Sequence, residues 1–139
     1  MAAARFVGID VGTKRIGVSR SDPTALIASP VGTFYQHNII EELKQLHQQS
    51  KIKKFIIGWP LSLNGHENES TRMVESFINK LRSAFPETEI VTMDERFTSK
   101  AAKQVLIDSG IKKKKRAQKG IVDSTAAAIL LQEYLDEHN

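Results

Sequence analysis

Short apolar runs bounded by turn residues alternate along this chain with stretches whose apolar positions recur at helical spacing. The first run, Phe6-Val7-Gly8-Ile9, delivers a single acid, Asp10. A turn containing Gly12 follows, then a second run through Ile16 and Val18, and together these predict a hairpin with Asp10 near the end of its first strand. Ala25 to Tyr35 is a third extended stretch, and Pro30 inside it predicts an edge position. Asn38, with Glu41 three residues on, forms a variant of the capping box ahead of Ile39, Ile40, Leu43 and Leu46 at helical spacing. Lys53 to Gly58 is a buried strand that Trp59-Pro60 stops. After a polar loop over 60–68, Met73, Phe77, Ile78 and Leu81 mark an amphipathic helix that Pro86 closes. Glu89 to Met93 is a strand running into Asp94-Glu95-Arg96. Thr98 or Ser99 caps the next helix, which carries Ala101, Ala102, Val105 and Leu106 and ends at Gly110. A last helix covers 119–137, with Ala126, Ala127, Leu130, Leu131 and Tyr134 on one side.

Three strands followed by helix and strand in alternation predict an α/β domain with a mixed five-stranded sheet and flanking helices. The first three strands are expected to be antiparallel and the helix-separated ones parallel. No repeat or linker divides residues 1–139, so one domain is expected. Sheets of this kind bind ligands outside the carboxyl ends of parallel strands. Asp10, the Gly58 loop and Asp94-Glu95 all fall at such ends.

Composition narrows the chemistry. The chain has 40% hydrophobic and 26% charged residues, as an ordinary globular protein does. It contains no cysteine, which removes disulfides, thiolate metal sites and a cysteine nucleophile. With no apolar run long enough for a membrane span and no signal-peptide core, a soluble cytoplasmic protein is expected. The net charge of +4 favours an anionic partner only mildly, being small beside the 20 basic and 16 acidic residues that produce it.

Three acids stand out. Asp10 could do no more than brace its turn through the amides near Gly12 and Thr13. Glu95 could be paired with a neighbouring lysine or with Arg96, and Asp123 could simply complement a helix dipole. Yet Asp123 shares a helix face with Ala127 on the apolar side, where an unpaired carboxylate is unusual. Converging carboxylates repel unless a cation neutralises them. Oxygen-only donors suit Mg²⁺ or Mn²⁺, and two such ions about 4 Å apart can serve phosphodiester cleavage.

The blocks GIDVGTKRIGVS, IIGWPLSLNG, MDERFTS and KGIVDSTAAAILLQEYL, in that order, resemble the Holliday-junction-resolvase-like family of pre-16S rRNA nucleases, within the ribonuclease H-like superfamily. The likeness spans nearly the whole chain. It implies a metal-dependent nuclease in which Asp10, Glu95 and Asp123 are the catalytic metal ligands, with Asp94 the alternative to Glu95. The implied task is processing of the 5′ end of pre-16S rRNA in ribosome biogenesis. Cleavage of a branched DNA junction is the alternative substrate, and a non-catalytic RNA-binding assembly factor the alternative of another class. Ser62-Leu63-Asn64 departs from the family pattern in the substrate loop, and His66 has no counterpart there.

Basic residues lie close to these acids in sequence. Lys112, Lys113, Lys114, Lys115, Arg116 and Lys119 precede Asp123, Lys14 and Arg15 follow Asp10, and Arg96 follows Glu95. They are expected to grip the nucleic-acid backbone, although a charge run is commonly just a solvated loop. Trp59 could stack on a base but is more naturally a core residue, and His66 could shuttle a proton or do nothing. Gly8 to Thr13 also resembles the first phosphate loop of the sugar-kinase, actin and heat-shock ATPases. Those close two domains around a nucleotide, and no second glycine-rich phosphate loop occurs here.

Overall fold

The computed structural model describes residues 4–60, 69–94 and 119–138, together with 104, 105, 107 and 108. Strands β1 (Arg5–Val11), β2 (Arg15–Ser21) and β3 (Ala28–Tyr35) come first. Helix α1 (Ile39–Gln49), strand β4 (Ile52–Trp59), helix α2 (Glu69–Ala84) and strand β5 (Glu89–Asp94) follow, and helix α3 (Lys119–Glu137) comes last of the described elements. The sheet order is β3-β2-β1-β4-β5. β1, β2 and β3 pair antiparallel, whereas β1 with β4 and β4 with β5 pair parallel. That is the mixed sheet expected, and the strand carrying Pro30 lies at its edge, where a missing N–H costs no ladder bond.

Period-two alternation splits the central strands between two cores. Val7, Ile9 and Val11 of β1, Ile16 and Val18 of β2, and Phe55 and Ile57 of β4 pack against α1 and α2, meeting Ile39, Leu43, Val74, Phe77 and Leu81. Ile56 points the other way, into a smaller cluster with Leu130, Leu131, Tyr134 and Leu135 of α3. Met73, read as part of the apolar face of α2, packs partly buried at the rim of the first core.

Two local expectations need correction. Asn38 precedes α1, but its backbone is already helical (φ −108°, ψ −19°) and its side chain makes no capping bond. A cap residue needs an extended backbone to reach the N2 or N3 amide, so the Asn38–Glu41 capping box does not form. The start of α1 is instead favoured by Glu41 and Glu42 in the first turn, near the positive end of the helix dipole. β3 also begins at Ala28, not Ala25, because Asp22 ties the preceding residues into a loop. Its carboxylate accepts the N–H groups of Leu26 and Ile27, both at 2.8 Å, and Ala25 takes a left-handed φ of 60°. The expected helix around Ala101 to Gly110 lies largely outside the described residues; Gln104, Val105, Ile107 and Asp108 are helical. None of the described helices is long and apolar enough to cross a membrane.

Candidate active site

Asp10 is the sixth residue of β1, directly opposite Gly17 of β2. Residues directly opposite in an antiparallel pair project to the same face. Gly17 settles which face that is. A Cβ built there would lie 2.1 Å from the carbonyl oxygen of Asp123 and 2.9 Å from the Ser124 nitrogen. The turn of α3 that carries Asp123 therefore rests on the bare backbone of Gly17. The same packing continues along the helix: a Cβ on Gly8 would meet Ala127 O and the Leu131 Cβ, each at 2.8 Å. Ser19, opposite Gly8, donates its hydroxyl to Ala127 O at 2.8 Å. Asp10 and Asp123 thus come from strand and helix to the same end of the same face, although the sequence sets them far apart.

The simpler roles do not hold for Asp10 and Asp123. The hairpin turn is closed by the Gly12 N–H donating to Arg15 O at 2.8 Å, without help from Asp10. The Asp10 carboxylate is half-buried and takes no hydrogen bond or ion pair among the described residues. A carboxylate in that position is costly without a partner. Asp123 lies beyond the first turn of α3, which contains no acid, and the dipole's benefit fades within that turn. The Asp123 side chain is 16% exposed, and its Oδ2 lies 3.9 Å from Nε of Arg15.

Successive residues of β5 face opposite sides of the sheet. Val91 and Met93 pack toward the α3 cluster. Thr92 lies with Trp59, Ile78 and Asn79 along a cleft on the α2 side. Asp94, opposite Trp59 and exposed, follows the even positions and falls on the α2 side. Glu95 and Arg96 lie outside the described residues, as do Lys112 to Arg116, the Ser62–Asn64 loop and His66. Lys14 is exposed in the hairpin turn, Lys119 opens α3, and Trp59 packs partly buried against the larger core. Among the described residues no group of three or more acids or histidines could hold a metal ion. Two oxygen donors on one face, with the third candidate outside that set, fit a hard cation as far as they go.

Sequence reasoning passed over Gly17 and Ser19, and treated Gly8 only as part of an apolar run. The available signal was glycine inside a strand, which marks a close approach of another backbone.

A mixed sheet of this order, flanked by helices on both faces, is the ribonuclease H-like fold. Thermus thermophilus RuvC in complex with a Holliday junction substrate shares it, with a TM-score of 0.59 at 15% identity over 98% of this chain and 96% of that one. A fowlpox virus resolvase bound to Holliday junction DNA also superposes, with a TM-score of 0.56 at 11% identity over 96% and 98% of the two chains. The chain belongs to the RuvX family, whose model, described as Holliday junction resolvase, matches residues 4–137. A Chlorobaculum tepidum protein named "Putative pre-16S rRNA nuclease" is 42% identical over 97% of this chain and 95% of its own length. Proteins of that name from Chlorobium phaeobacteroides and Salinibacter ruber are 43% and 42% identical, over 95% and 96% of this chain and 92% and 93% of their own. Membership places the chain among nucleases, enzymes that hydrolyse phosphodiester bonds.

Proposed function

We propose that this chain is a divalent-metal-dependent endonuclease acting on structured nucleic acid, with pre-16S rRNA, cut toward its 5′ end during ribosome biogenesis in the cytoplasm, as its substrate. The observation that carries this is the seating of Asp123 on Gly17, directly across the ladder from Asp10. We assign Asp10, Glu95 and Asp123 as the ligands of Mg²⁺ or Mn²⁺. Glu95 is preferred to Asp94 because Asp94 falls on the α2 side of the sheet, away from Asp10 and Asp123. The chemistry a bound divalent ion supplies there is water activation and neutralisation of charge developing on the phosphate.

This chain's own residues then have distinct tasks. Asp10 and Asp123 fix where the scissile phosphate stands, because a strand end and a packed helix hold them, not loops. Arg15, beside Asp123, is placed to pair with a phosphate oxygen once the substrate arrives. Lys14, Arg96, Lys119 and the run from Lys112 to Arg116 would hold the flanking backbone, a sequence-independent grip that weakens steeply with salt. In the reaction, water oxygen bonds to phosphorus and the bond to the leaving ribose oxygen breaks. That oxygen departs with a proton.

Cleavage of a branched DNA junction is the second reading, favoured by the family's description and by the junctions in both structural neighbours. One experiment separates the readings: Mn²⁺-dependent cleavage of a precursor rRNA fragment and of a four-way DNA junction, wild type against Asp10→Asn. Wild type should cut the RNA and Asp10→Asn should not. Preferential cutting of the junction would move the substrate to DNA. Binding without cutting by both proteins would leave a non-catalytic assembly factor.

A further inference from the structure

We infer that Tyr35 and His37 form a stacking platform for an unpaired nucleobase of the substrate strand, beside the cutting site. The inference deepens the nuclease reading and rests on it, since it takes the occupant to be substrate. Tyr35 ends β3, the open edge of the sheet, and is 54% exposed. It lies directly opposite Arg15 in the β2–β3 register, so it projects to the face where Arg15 meets Asp123. Its neighbour Phe34 goes the other way and packs against the α1–α2 core, as alternation requires. An aromatic side chain on this edge is thus presented at the active-site end, on the active-site face.

The ring is not left to wander. The His37 ring lies nearly parallel to it, 10° between planes and 5.8 Å between centroids. His37 is itself held in the turn that Tyr35 O closes by accepting the Asn38 N–H at 3.0 Å. Two exposed rings stacked before any ligand arrives form a pre-ordered π surface, and little side-chain entropy remains to be lost when a base adds to it. From Asp10 the route to Tyr35 crosses two strand spacings and runs two residues along β3, roughly 12 Å between Cα atoms at ordinary sheet dimensions. A nucleotide held there lies close along the strand to the phosphate being cut. The adjoining Arg15 gives the backbone of that nucleotide a cationic partner.

Nothing in this pair reads base edges, since every base offers a π face. The platform therefore selects for strand state: the nucleotide must be unstacked and free to turn outward. A fully paired duplex cannot use it. The substrate class that follows is an RNA or DNA strand unpaired next to the cut.

Binding of short oligonucleotides in EDTA, where no cleavage occurs, tests the idea with the full chain. The probes are single-stranded and blunt-duplex RNA and DNA, the single strands carrying 2-aminopurine at one position each. Wild type should bind the single strand and quench the fluorophore at one or two positions. Tyr35→Ala should weaken single-strand binding by roughly 5- to 150-fold, the range of one lost base stack at tenfold per 1.4 kcal/mol, and abolish the quench. Duplex affinity and the salt dependence should stay as in wild type. Tyr35→Phe and Tyr35→Trp should keep both affinity and quench, and His37→Ala should lose part of each. Comparing the RNA and DNA arms shows which strand the site favours. Equal single-strand binding by Tyr35→Ala and wild type, with Tyr35→Ala still folded by thermal melting, overturns the platform and leaves the nuclease reading intact. An equal loss on single strand and duplex overturns it too. If wild type binds no nucleic acid of any kind, the nuclease reading falls with it.

Discussion

The two faces of this sheet are made by the same strands and could hardly differ more. Toward α1 and α2, β1 and β2 present Val7, Ile9, Val11, Ile16 and Val18, large apolar side chains that fill a core. Toward α3 the alternate positions of those strands are Gly8, Asp10, Gly17 and Ser19. The first face stabilises through buried apolar area. The second gives up that area so that a helix backbone can descend onto the sheet and carry a carboxylate to Asp10. On the proposed reading one strand serves stability and chemistry at successive residues, and substitutions at neighbouring positions should separate the two.

The largest expected effect is on the chemical face. Asp10→Asn or Asp123→Asn should lower the cleavage rate by at least ~10²–10³, on the scale seen when a group that stabilises the transition state is removed. The thermal midpoint of Asp10→Asn should move little, because the Asp10 carboxylate has no partner to lose among the described residues. Calorimetry and single-turnover cleavage on the same preparations check both halves. A variant that unfolds while its folded fraction still cuts would reverse the roles assigned to the faces.

One residue earlier the effect should invert. Ile9 is fully buried, and truncating a buried isoleucine to alanine costs about 2–5 kcal/mol. Ile9→Ala should show that loss in denaturant titration, with cleavage per folded molecule close to wild type below the transition. A rate loss as large as that of Asp10→Asn would mean the faces are mechanically inseparable.

Gly17→Ala probes the seam between the two jobs. The added Cβ would sit 2.1 Å from a backbone oxygen, not from the end of a flexible side chain, so α3 itself must move. Overpacking of this kind costs typically about 1–3 kcal/mol. Because the displaced turn carries Asp123, cleavage should fall as well, beyond what instability explains. Gly8→Ala, which also meets helix backbone but one turn away from the acid, should lose comparable stability with a smaller loss of rate. Equal rates for Gly17→Ala and Gly8→Ala would show that the seating on Gly17 does not position Asp123.

Much of this contrast could be read from the chain. Period-two and helical spacing located the strands, their pairing senses and α3, whose bounds match the pattern over 119–137. Pro30 marked the edge strand. Asp123 drew notice because a carboxylate on an apolar helix stripe contradicts its surroundings. What stayed hidden were contacts between distant parts of the chain or details of backbone angle. Gly17 reads as one more small residue in a strand until Asp123 is found resting on it. Asn38 has the right side chain for a cap but the wrong backbone, and only φ and ψ decide that. The face that Asp94 takes was hidden too, because it follows from what Thr92 and Met93 touch and not from their identity.

The smallest effect expected lies off both faces, at the end of the sheet away from Asp10. Asp22 holds the loop before β3, where its carboxylate accepts the Thr24 hydroxyl and the amides of Ile27, Leu26 and Thr24. The Thr24 hydroxyl and then the Ile27 amide hold its pKa well below the ordinary carboxylate range, since each bond favours the charged form. A group whose folded pKa is depressed contributes stability that is fully present above the unfolded value, about 3.9 for Asp, and is lost as pH falls from there toward the folded value. Asp22→Asn should therefore be slightly less stable than wild type at neutral pH, because an amide oxygen can replace only part of the carboxylate's acceptor capacity. That difference should hold steady from roughly pH 5 to 8 and shrink below about pH 4. Cleavage should not change, because the loop takes no part in either face near the acids. Thermal melts of both proteins across that range are the measurement. A stability gap that widens on acidification would mean Asp22 is protonated when it anchors the loop, and the depressed pKa would have to be abandoned.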